Sequence, residues 1–150
     1  MNERPTYVTD VDELNENDIA RRFACWARCE QLRVSTTKFG GCDRLLHRAG
    51  IVKCWFEVKA TDKPWRHYDG LTGCWMTGFR KYEKLVELQK FLLCWVFYVV
   101  GFSDGKIAYV SVENNDGIVP DWGRSDRGDD GDNEPGVRFK YDSMKLIAAA

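Results

Sequence analysis

The sequence predicts an α/β fold in which a mixed β-sheet is flanked by helices, and three observations lead to this class. Residues 51–60 alternate between apolar and polar side chains, as a half-buried strand does. Residues 95–102 form a continuous apolar run, which is typical of a strand covered on both faces. Residues 15–30 and 77–93 carry apolar side chains at helical spacing. Helices that alternate with strands pack on a sheet, so we predict the order α-β-β-α-β-β.

The first helix is predicted over residues 15–30, because Ile19 and Phe23 recur at the spacing of one helix face. Asparagine and aspartate residues at its beginning are suitable helix caps. Residues 42–46 are predicted as the first strand. A turn around Gly50 then leads into the second strand.

The second strand, residues 51–60, has two faces of different character. One face is predicted to lie in the core and carries Val52, Cys54, Phe56 and Val58. The other face gathers charges around one tryptophan and carries Lys53, Trp55, Glu57 and Lys59. Charged side chains are unusual on a strand with such apolar neighbours, so this face is a candidate functional surface.

The second half of the chain contains a further helix and further strands. Its predicted elements are, in order, a loop at 63–74, a helix at 77–93, strands at 95–102 and 106–112 joined by a turn at Asp104-Gly105, an acidic Gly/Asp-rich loop at about 113–136, and a short strand at 137–141. Thr77 is the predicted N-cap of the helix. Such an acidic loop most often keeps a protein soluble, and cation binding and mimicry of nucleic acid are the alternatives.

Length and composition indicate one domain spanning residues 1–150. The chain has 150 residues, of which 44% are hydrophobic and 30% charged, so it can bury a core and is not a disordered chain. No apolar run reaches the roughly 18 residues that a membrane-spanning helix needs. The acidic, polar N-terminus does not resemble a signal peptide, so we expect a cytoplasmic protein without membrane association.

Six cysteines raise the alternatives of disulfide bonds and zinc binding. Disulfide bonds are not expected in a cytoplasmic protein with an adequate core. The closest pair, Cys25 and Cys29, lacks the spacing typical of zinc sites, and the two histidines stand alone. We therefore interpret the cysteines as reduced and structural, with zinc binding as the weaker alternative.

The net charge of −1 conceals a strong segregation of charge along the chain. Residues 21–66 carry eleven basic and four acidic side chains, whereas residues 1–20 and 113–134 are strongly acidic. A basic block of this kind indicates an anionic partner such as nucleic acid. The alternative is a solvated basic face that other parts of the surface neutralise.

Asp43, followed after thirteen intervening residues by Glu57-Val58-Lys59, is the group that suggests chemistry. Two carboxylates at the ends of adjacent strands can hold a hard divalent cation, with the Val58 carbonyl as a further oxygen ligand. Lys59 lies on the same strand face as Glu57, where it can orient or help deprotonate a metal-bound water. Carboxylate metal ligands and a nearby lysine are the groups that metal-dependent phosphodiester hydrolysis needs.

A purely structural interpretation of the same residues is the alternative. Glu57 and Lys59 can form an exposed salt bridge, and Asp43 can be a turn residue after Gly40-Gly41. The metal site is favoured by the context of the triplet. It closes a predicted strand, an aspartate precedes it on another predicted strand, and a helix followed by a strand comes after it.

With these residues identified, the sequence resembles the PD-(D/E)XK nuclease superfamily, in particular its small phage-encoded members and relatives of Holliday-junction resolvases. The resemblance covers roughly residues 15–112 and rests on the segments 16–20, 42–46, 55–59, 81–85 and 98–105. The proline of the family motif is absent, since Cys42 precedes Asp43. The resemblance implies a restriction-endonuclease-like core, metal-binding acids at Asp43 and Glu57, and a catalytic lysine at Lys59.

The resemblance also implies two further side chains in the site and an oligomeric state. Members of the family often add an acid from the first helix as a metal ligand, for which Asp18 or Glu16 is the candidate. The helix after the motif often supplies a polar side chain, and Lys81 is the candidate for this catalytic position. Many resolvase-like members act as dimers, so a homodimer is a further expectation.

Basic residues near the triplet are candidates for binding the phosphate backbone of a nucleic acid. They are Arg44, Arg48, Lys53, Lys63, Arg66 and His67. A solvated basic face is the alternative with equal weight. The adjoining aromatic residues Trp65, Tyr68 and Trp75 can stack on exposed bases or pack beneath the loop, and packing is the preferred interpretation.

The predicted function is that of a DNA endonuclease, dependent on Mg²⁺ or Mn²⁺, that hydrolyses phosphodiester bonds. Branched and single-stranded DNA are candidate substrates, and the location is the host cytoplasm if the protein is phage-encoded. The alternative is a non-catalytic binding protein that keeps the nuclease fold, such as a phage-encoded inhibitor or a DNA-binding accessory protein. The acidic loop and the near-zero net charge favour this alternative slightly.

Overall fold

The structure, a computed structural model, describes residues 10–34, 42, 44–68, 74–113, 118–121 and 136–147. For residues 10–14, 67–68, 74–77, 118–121 and 141 it describes the backbone alone. The helices and strands in these ranges are, in chain order, α1 (Asp10–Ala27), β1 (Glu30–Arg33), β2 (Arg44–Arg48), β3 (Ile51–Ala60), β4 (Cys74–Gly78), α2 (Phe79–Leu92), β5 (Trp95–Gly101), β6 (Ile107–Ser111), β7 (Ile118–Asp121), β8 (Gly136–Lys140) and β9 (Lys145–Leu146). Short 3-10 helices lie at Trp65–Tyr68 and Tyr141–Ser143.

In the described ranges the strands form one large and one small sheet. The large sheet has six strands in the order β1-β2-β3-β5-β6-β9. Its neighbouring strands are antiparallel except for β3 and β5, which are parallel because the chain crosses over through α2 between them. The small sheet, in the order β4-β8-β7, is antiparallel. The predicted class, a mixed sheet flanked by helices, is confirmed.

The alternation of side chains along β3 places one core on each face of the large sheet. Cys54, Phe56 and Val58 are at most 5% exposed and pack in the cluster beneath α1. Trp55 packs against the cluster on the opposite face, as the period of two requires. Val52, which we predicted on the core face, is 44% exposed, because the cluster beneath α1 begins at Cys54.

Different elements cover the two hydrophobic clusters on the faces of the large sheet. Beneath α1, the side chains of Ile19, Ala20 and Phe23 cover β3 and β5. On the other face, α2 and the small sheet cover β5 and β6, and Phe139 of β8 packs against Tyr98 of β5 with ring centroids 5.3 Å apart. Val96 and residues 98–102 are therefore buried, as the sequence predicts, whereas Trp95 at the start of the run is 59% exposed.

Close packing of α1 on the large sheet requires glycine at the end of β5. A Cβ built on Gly101 would lie 2.6 Å from Cγ1 of Ile19, which is closer than side chains approach one another. Ile19 itself is buried. Any larger residue at position 101 would therefore displace Ile19 or lift this part of α1 from the sheet.

The predicted hairpin between β5 and β6 is confirmed. Gly105 has a φ of +83°, a conformation that glycine adopts without strain. The Asp104 carboxylate accepts hydrogen bonds from the backbone N–H groups of Lys106 and Trp65, each at 3.2 Å. The turn thereby also fixes the start of the 3-10 helix after β3.

Several predicted boundaries were wrong, and the missed elements are mostly short strands. The first helix ends at Ala27 rather than at residue 30, because β1 begins at Glu30. β4 begins inside the predicted loop, and β7 lies inside the predicted acidic loop at 113–136. Residues 114–117 and 122–135 of that acidic segment lie outside the described part of the chain.

The predicted N-cap of the second helix was also wrong. The helix begins at Phe79, and Gly78 occupies the N-cap position in an extended conformation without a capping side-chain hydrogen bond. Residue 77 belongs to β4, so it lies ahead of the cap. Neither α1 nor α2 contains an apolar stretch of the length that crossing a bilayer needs.

We expect the Cys54 thiol to resist modification in the folded protein. Burial raises the pKa of Cys54 to about 12, and the neighbouring thiols of Cys94 and Cys29 act in the same direction. Almost no reactive thiolate is therefore present at pH 8. Alkylation followed by mass spectrometry should modify the exposed Cys25 first and Cys54 only in denaturant. Equal rates for the two thiols in native buffer would show that Cys54 is not in the core.

Candidate active site

The charged face of β3 meets the beginning of α2, where two ammonium groups approach one carboxylate. Lys81 Nζ lies 2.5 Å from Oε1 of Glu57, and Lys59 Nζ lies 3.5 Å from the same oxygen. The side chain of Glu57 is 12% exposed, and those of Lys81 and Lys59 are 33% and 38% exposed. The Glu57 carboxylate is thus largely shielded from bulk water, while the side chains of both lysines stay partly exposed to solvent.

Packing along α2 explains why Lys81 reaches β3. Leu85 is fully buried in the cluster that also contains Tyr98 of β5. Lys81 is four residues before Leu85, so both side chains lie on the same helix face. Glu57 pairs with Tyr98 in the parallel ladder between β3 and β5. Burial of Leu85 therefore directs Lys81 towards the strand position that Glu57 occupies.

The two lysines of the cluster differ in their affinity for a proton. Burial lowers the pKa of Lys59, and the positive charge of Lys81 lowers it further, against the opposing effect of Glu57. Burial acts in the same way on Lys81, but the charge and hydrogen bond of Glu57 outweigh it and raise the pKa of Lys81. Lys81 therefore retains its proton, and Lys59 is the lysine that releases one more readily.

Glu16 of α1 belongs to the same cluster. Burial raises the pKa of its carboxyl group above the usual value, Lys59 opposes this effect, and the negative charge of Glu57 adds to it. Arg44 and Lys81 also favour the charged form of Glu16. The site thus contains a pair of glutamates, one from α1 and one from β3, that influence one another.

Asp18, predicted as a metal ligand, is placed differently from Glu16. Its side chain is 53% exposed and lies 2.6 Å from the guanidinium of Arg21. It lines a groove of about 410 Å³ at the carboxyl ends of β3 and β5. The sequence contains the signal that separates the two acids, because Glu16 precedes the buried Ile19 by three residues and the buried Phe23 by seven. Glu16 thereby continues the buried stripe of α1, and Asp18 does not.

Asp43, the other predicted acid, lies outside the described residues. The strand β2 begins at the next residue, Arg44, which pairs with Phe56, the neighbour of Glu57. The beginning of β2 is therefore at the same end of the sheet as the charged cluster. Val58 contributes a buried side chain to the core beneath α1. Its backbone lies in the part of β3 that pairs with β5, beyond the last described pair with β2.

The residues of the cluster suit a hard divalent cation. Within the described ranges, no group of three or more His, Cys, Asp and Glu side chains is arranged to hold a metal ion. The carboxylates of Glu16 and Glu57 supply two hard oxygen donors of the kind that Mg²⁺ and Mn²⁺ prefer. Burial and the negative charge of Glu57 disfavour the ionised form of Glu16, and a cation bound between the two carboxylates would favour it.

Two arginines that we predicted to bind phosphate groups have hydrogen-bond acceptors within the protein. Arg44 is 4% exposed, and its guanidinium donates to Asn17 Oδ1 at 2.7 Å and to Gln31 Oε1 at 3.4 Å. Arg48 donates to the carbonyl of Ala27 at 2.9 Å and so satisfies the end of α1. The prediction for Arg44 is corrected, because its guanidinium is buried with internal acceptors, whereas Arg48 is exposed and its contact to phosphate stays a prediction.

The other predicted contacts to nucleic acid fall on the surface or outside the description. Lys53, Lys63 and Arg66 are exposed. The side chain of His67 lies outside the described part. The same holds for Tyr68 and Trp75.

Trp65 follows the preferred interpretation of the aromatic loop residues. It is buried and makes an edge-to-face contact with Phe102, with ring centroids 5.0 Å apart. Packing beneath the loop, rather than stacking on a base, is therefore confirmed for this tryptophan.

The fold and the charged cluster at the end of β3 together define a nuclease-like α/β domain. Residues 2–146 match the model of a family described as "Phage putative PDDEXK endonuclease". The chain belongs to this family.

Among solved structures, the chain is similar to Hjc, a Holliday junction resolvase from the archaeal hyperthermophile Archaeoglobus fulgidus. The TM-score is 0.56 at 13% sequence identity, and the match covers 89% of this chain and 93% of that chain. At this identity the likeness concerns the fold. A search among curated proteins finds no match.

We expect Glu16→Gln to stabilise the metal-free protein at neutral pH. The pKa of Glu16 is higher in the folded state than its ordinary value of 4.5, so ionised Glu16 opposes folding above the folded-state pKa. This opposition is lost as the pH falls through the folded-state pKa towards 4.5. Urea unfolding in EDTA should show a gain for the variant at pH 8 that shrinks towards pH 5.

Glu83 of α2 provides the matched control. Glu83→Gln makes the same chemical change as Glu16→Gln, but at a position where the side chain is exposed to solvent. This control should change the free energy of unfolding by less than about 0.5 kcal/mol at either pH. A Glu16→Gln variant that is no more stable than the wild type at pH 8 would contradict the expectation.

Proposed function

We propose that the protein is a metal-dependent DNA endonuclease that hydrolyses phosphodiester bonds at the cluster of Glu57, Lys59 and Glu16. One observation carries the proposal: Lys81 and Lys59 share a single, largely buried carboxylate oxygen of Glu57. The family to which the chain belongs supports the reaction class, since its description is that of an endonuclease. The restriction-endonuclease-like arrangement of the sheet supports it as well.

In this proposal the metal is Mg²⁺ or Mn²⁺, and the ligands are Glu57, Glu16 and Asp43 with the carbonyl of Val58. The choice of Glu16 in place of Asp18 follows from its position in the charged cluster. The bound cation supplies Lewis acidity, which stabilises charge on the phosphate and makes water nucleophilic at neutral pH.

The two lysines divide the remaining work between them. Lys59, whose pKa is lowered, accepts a proton from the attacking water or orients that water. Lys81, whose pKa is raised, stays positively charged, holds the Glu57 carboxylate in place and faces the negative charge that grows on the phosphate. Either lysine can approach a phosphate from the solvent side, since each keeps about a third of its surface exposed.

DNA binding in this proposal uses the exposed Lys53, Lys63 and Arg66, together with His67. Branched DNA is the first substrate to examine, because the structural neighbour Hjc is a Holliday junction resolvase. A homodimer, a cytoplasmic location and an organisation as one domain stay predictions.

We expect purified protein to cut supercoiled, single-stranded or branched DNA in Mg²⁺ or Mn²⁺, and EDTA to stop the reaction. Glu57→Gln and Lys59→Met should each lower the cleavage rate at least about 100-fold, because each removes a group that acts on the reacting atoms. Gel assays on matched linear and four-way-junction substrates measure these rates.

Glu87→Gln is the control for this experiment, since Glu87 is an exposed glutamate on α2 outside the cluster. Its cleavage rate should equal that of the wild type. The assignment would be rejected if the protein cut none of the substrates with either Mg²⁺ or Mn²⁺. It would also be rejected if Glu57→Gln cut DNA at the same rate as the control variant.

A second candidate function is that of a nuclease-fold protein that binds without catalysis. The ion pair between Glu57 and Lys81 favours it, because this pair satisfies the carboxylate without a metal ion. The discriminating property is metal affinity. Calorimetry should show Mn²⁺ binding by the wild type that is weakened about tenfold or more in Asp43→Asn and unchanged in Asp142→Asn, which alters an exposed aspartate. Absence of Mn²⁺ binding by the wild type would support the non-catalytic candidate.

A further inference from the structure

Two arginines of β2 connect this strand to the middle and to the C-terminal end of α1. Arg44 donates to the side chain of Asn17 at 2.7 Å, and Arg48 donates to the carbonyl of Ala27 at 2.9 Å. Asn17 and Ala27 are ten residues apart, which is about 15 Å along a helix axis. One strand therefore holds the helix at two well-separated points.

Only the connection through Arg44 lies beside the charged cluster. Asn17 directly follows Glu16 in α1, whereas Ala27 is the last residue of the helix. Arg44 also belongs to the charges that act on Glu16. The two arginines thus offer a natural comparison, since they share a strand and a helix but differ in their distance from the proposed site.

The burial of Arg44 needs an explanation, because an arginine is almost never fully buried unless its charge is compensated. Its guanidinium uses two different nitrogens on two elements: Nη2 donates to Asn17 of α1 and Nη1 donates to Gln31 of β1. Neither acceptor is charged. Among the described carboxylates, Glu16 is one whose negative charge interacts with Arg44.

Contacts from two directions fix the turn of α1 that carries Glu16. On one side the hydrogen bond from Arg44 holds Asn17. On the other side the side chain of Ile19 packs directly against Gly101. A Cβ atom at position 101 would clash with Ile19, so no other residue type allows this close approach. These contacts hold the helix turn that carries Glu16 in place on the large sheet.

We propose that Arg44 is the positioning residue for the helix acid of the site: by bridging Asn17 and Gln31 it holds Glu16 close enough to Glu57 for both carboxylates to bind one divalent cation. The bridge itself does not depend on the activity, whereas its consequence for metal binding rests on the proposed function. Arg44 touches neither substrate nor metal in this role.

Three variants separate the bridge from general stability. Arg44→Lys keeps a positive charge on β2, but a single ammonium group cannot reproduce the two-ended fork. Asn17→Ala removes only the acceptor on α1 and leaves Arg44 in place, so it remains informative if the Arg44 variant fails to fold. Arg48→Ala is the matched control, because it frees the far end of α1.

Hydrogen exchange of the metal-free protein tests the bridge directly. Arg44→Lys and Asn17→Ala should raise the exchange rate of the amides at 16–20 at least about tenfold relative to the wild type, while Arg48→Ala raises exchange near residues 24–28. A wild-type exchange rate at 16–20 in both bridge variants would overturn the proposal. This result does not depend on whether the protein is a nuclease.

Calorimetry with Mn²⁺ alone tests the consequence. We expect Asn17→Ala and Arg44→Lys to weaken Mn²⁺ binding roughly 10- to 100-fold, as the loss of a residue that orients a metal ligand does. Arg48→Ala should lower the melting temperature by a few degrees with Mn²⁺ affinity unchanged. If all three variants lost Mn²⁺ affinity equally, the effect of Arg44 would be one of general stability, and the proposal would be overturned. A wild type that does not bind Mn²⁺ would count against the proposed function, and hydrogen exchange would then decide the bridge.

Discussion

The parallel ladder between β3 and β5 is the constraint on which the rest of the molecule depends. Cys54 to Ala60 pair in register with Trp95 to Gly101, and side chains of both strands enter the core beneath α1 and the core beneath α2. The same ladder sets Glu57 opposite Tyr98 and so beneath the helix that carries Lys81. A slip of one residue would exchange the two faces of β3 and bury its charges beneath α1. Register in this ladder therefore determines both the packing and the candidate site.

The charges of the cluster are arranged against the stability of the metal-free fold. Burial disfavours ionised Glu16, and Lys59 is disfavoured as a cation both by burial and by Lys81. Lys81 is the member that gains from the arrangement, because Glu57 lies next to it. Such opposed shifts within a few side chains are typical of sites in which one group gives up a proton and another keeps it. These opposed shifts therefore support a functional role for the cluster.

The long, strongly patterned elements were predictable from the sequence, and the short ones were not. The bounds of β3 and the burial of most of β5 follow from local sequence patterns alone. β1, β4 and β9 have two to five residues each, which is too short for a clear local pattern, and β4 and β9 also pair with strands far away in the sequence. In the site, Glu57, Lys59 and Lys81 meet as predicted. We did not choose between Glu16 and Asp18 from the sequence, although the three-residue spacing from Glu16 to Ile19 distinguishes the two acids.

The basic block at residues 21–66 shows why counting charges identifies a region better than it identifies contacts. The block does contain Glu57 and Lys59, so the charge segregation and the candidate site fall in the same part of the sequence. Yet Arg44 and Arg48 bind acceptors of the fold, and Lys59 faces Glu57. Part of the positive charge that suggests a polyanion is thus consumed in holding α1 and in balancing an acidic pair. The positive charge that remains for a phosphate backbone is smaller than the sequence implies, and it includes the exposed Lys53 and Lys63 near the two ends of β3.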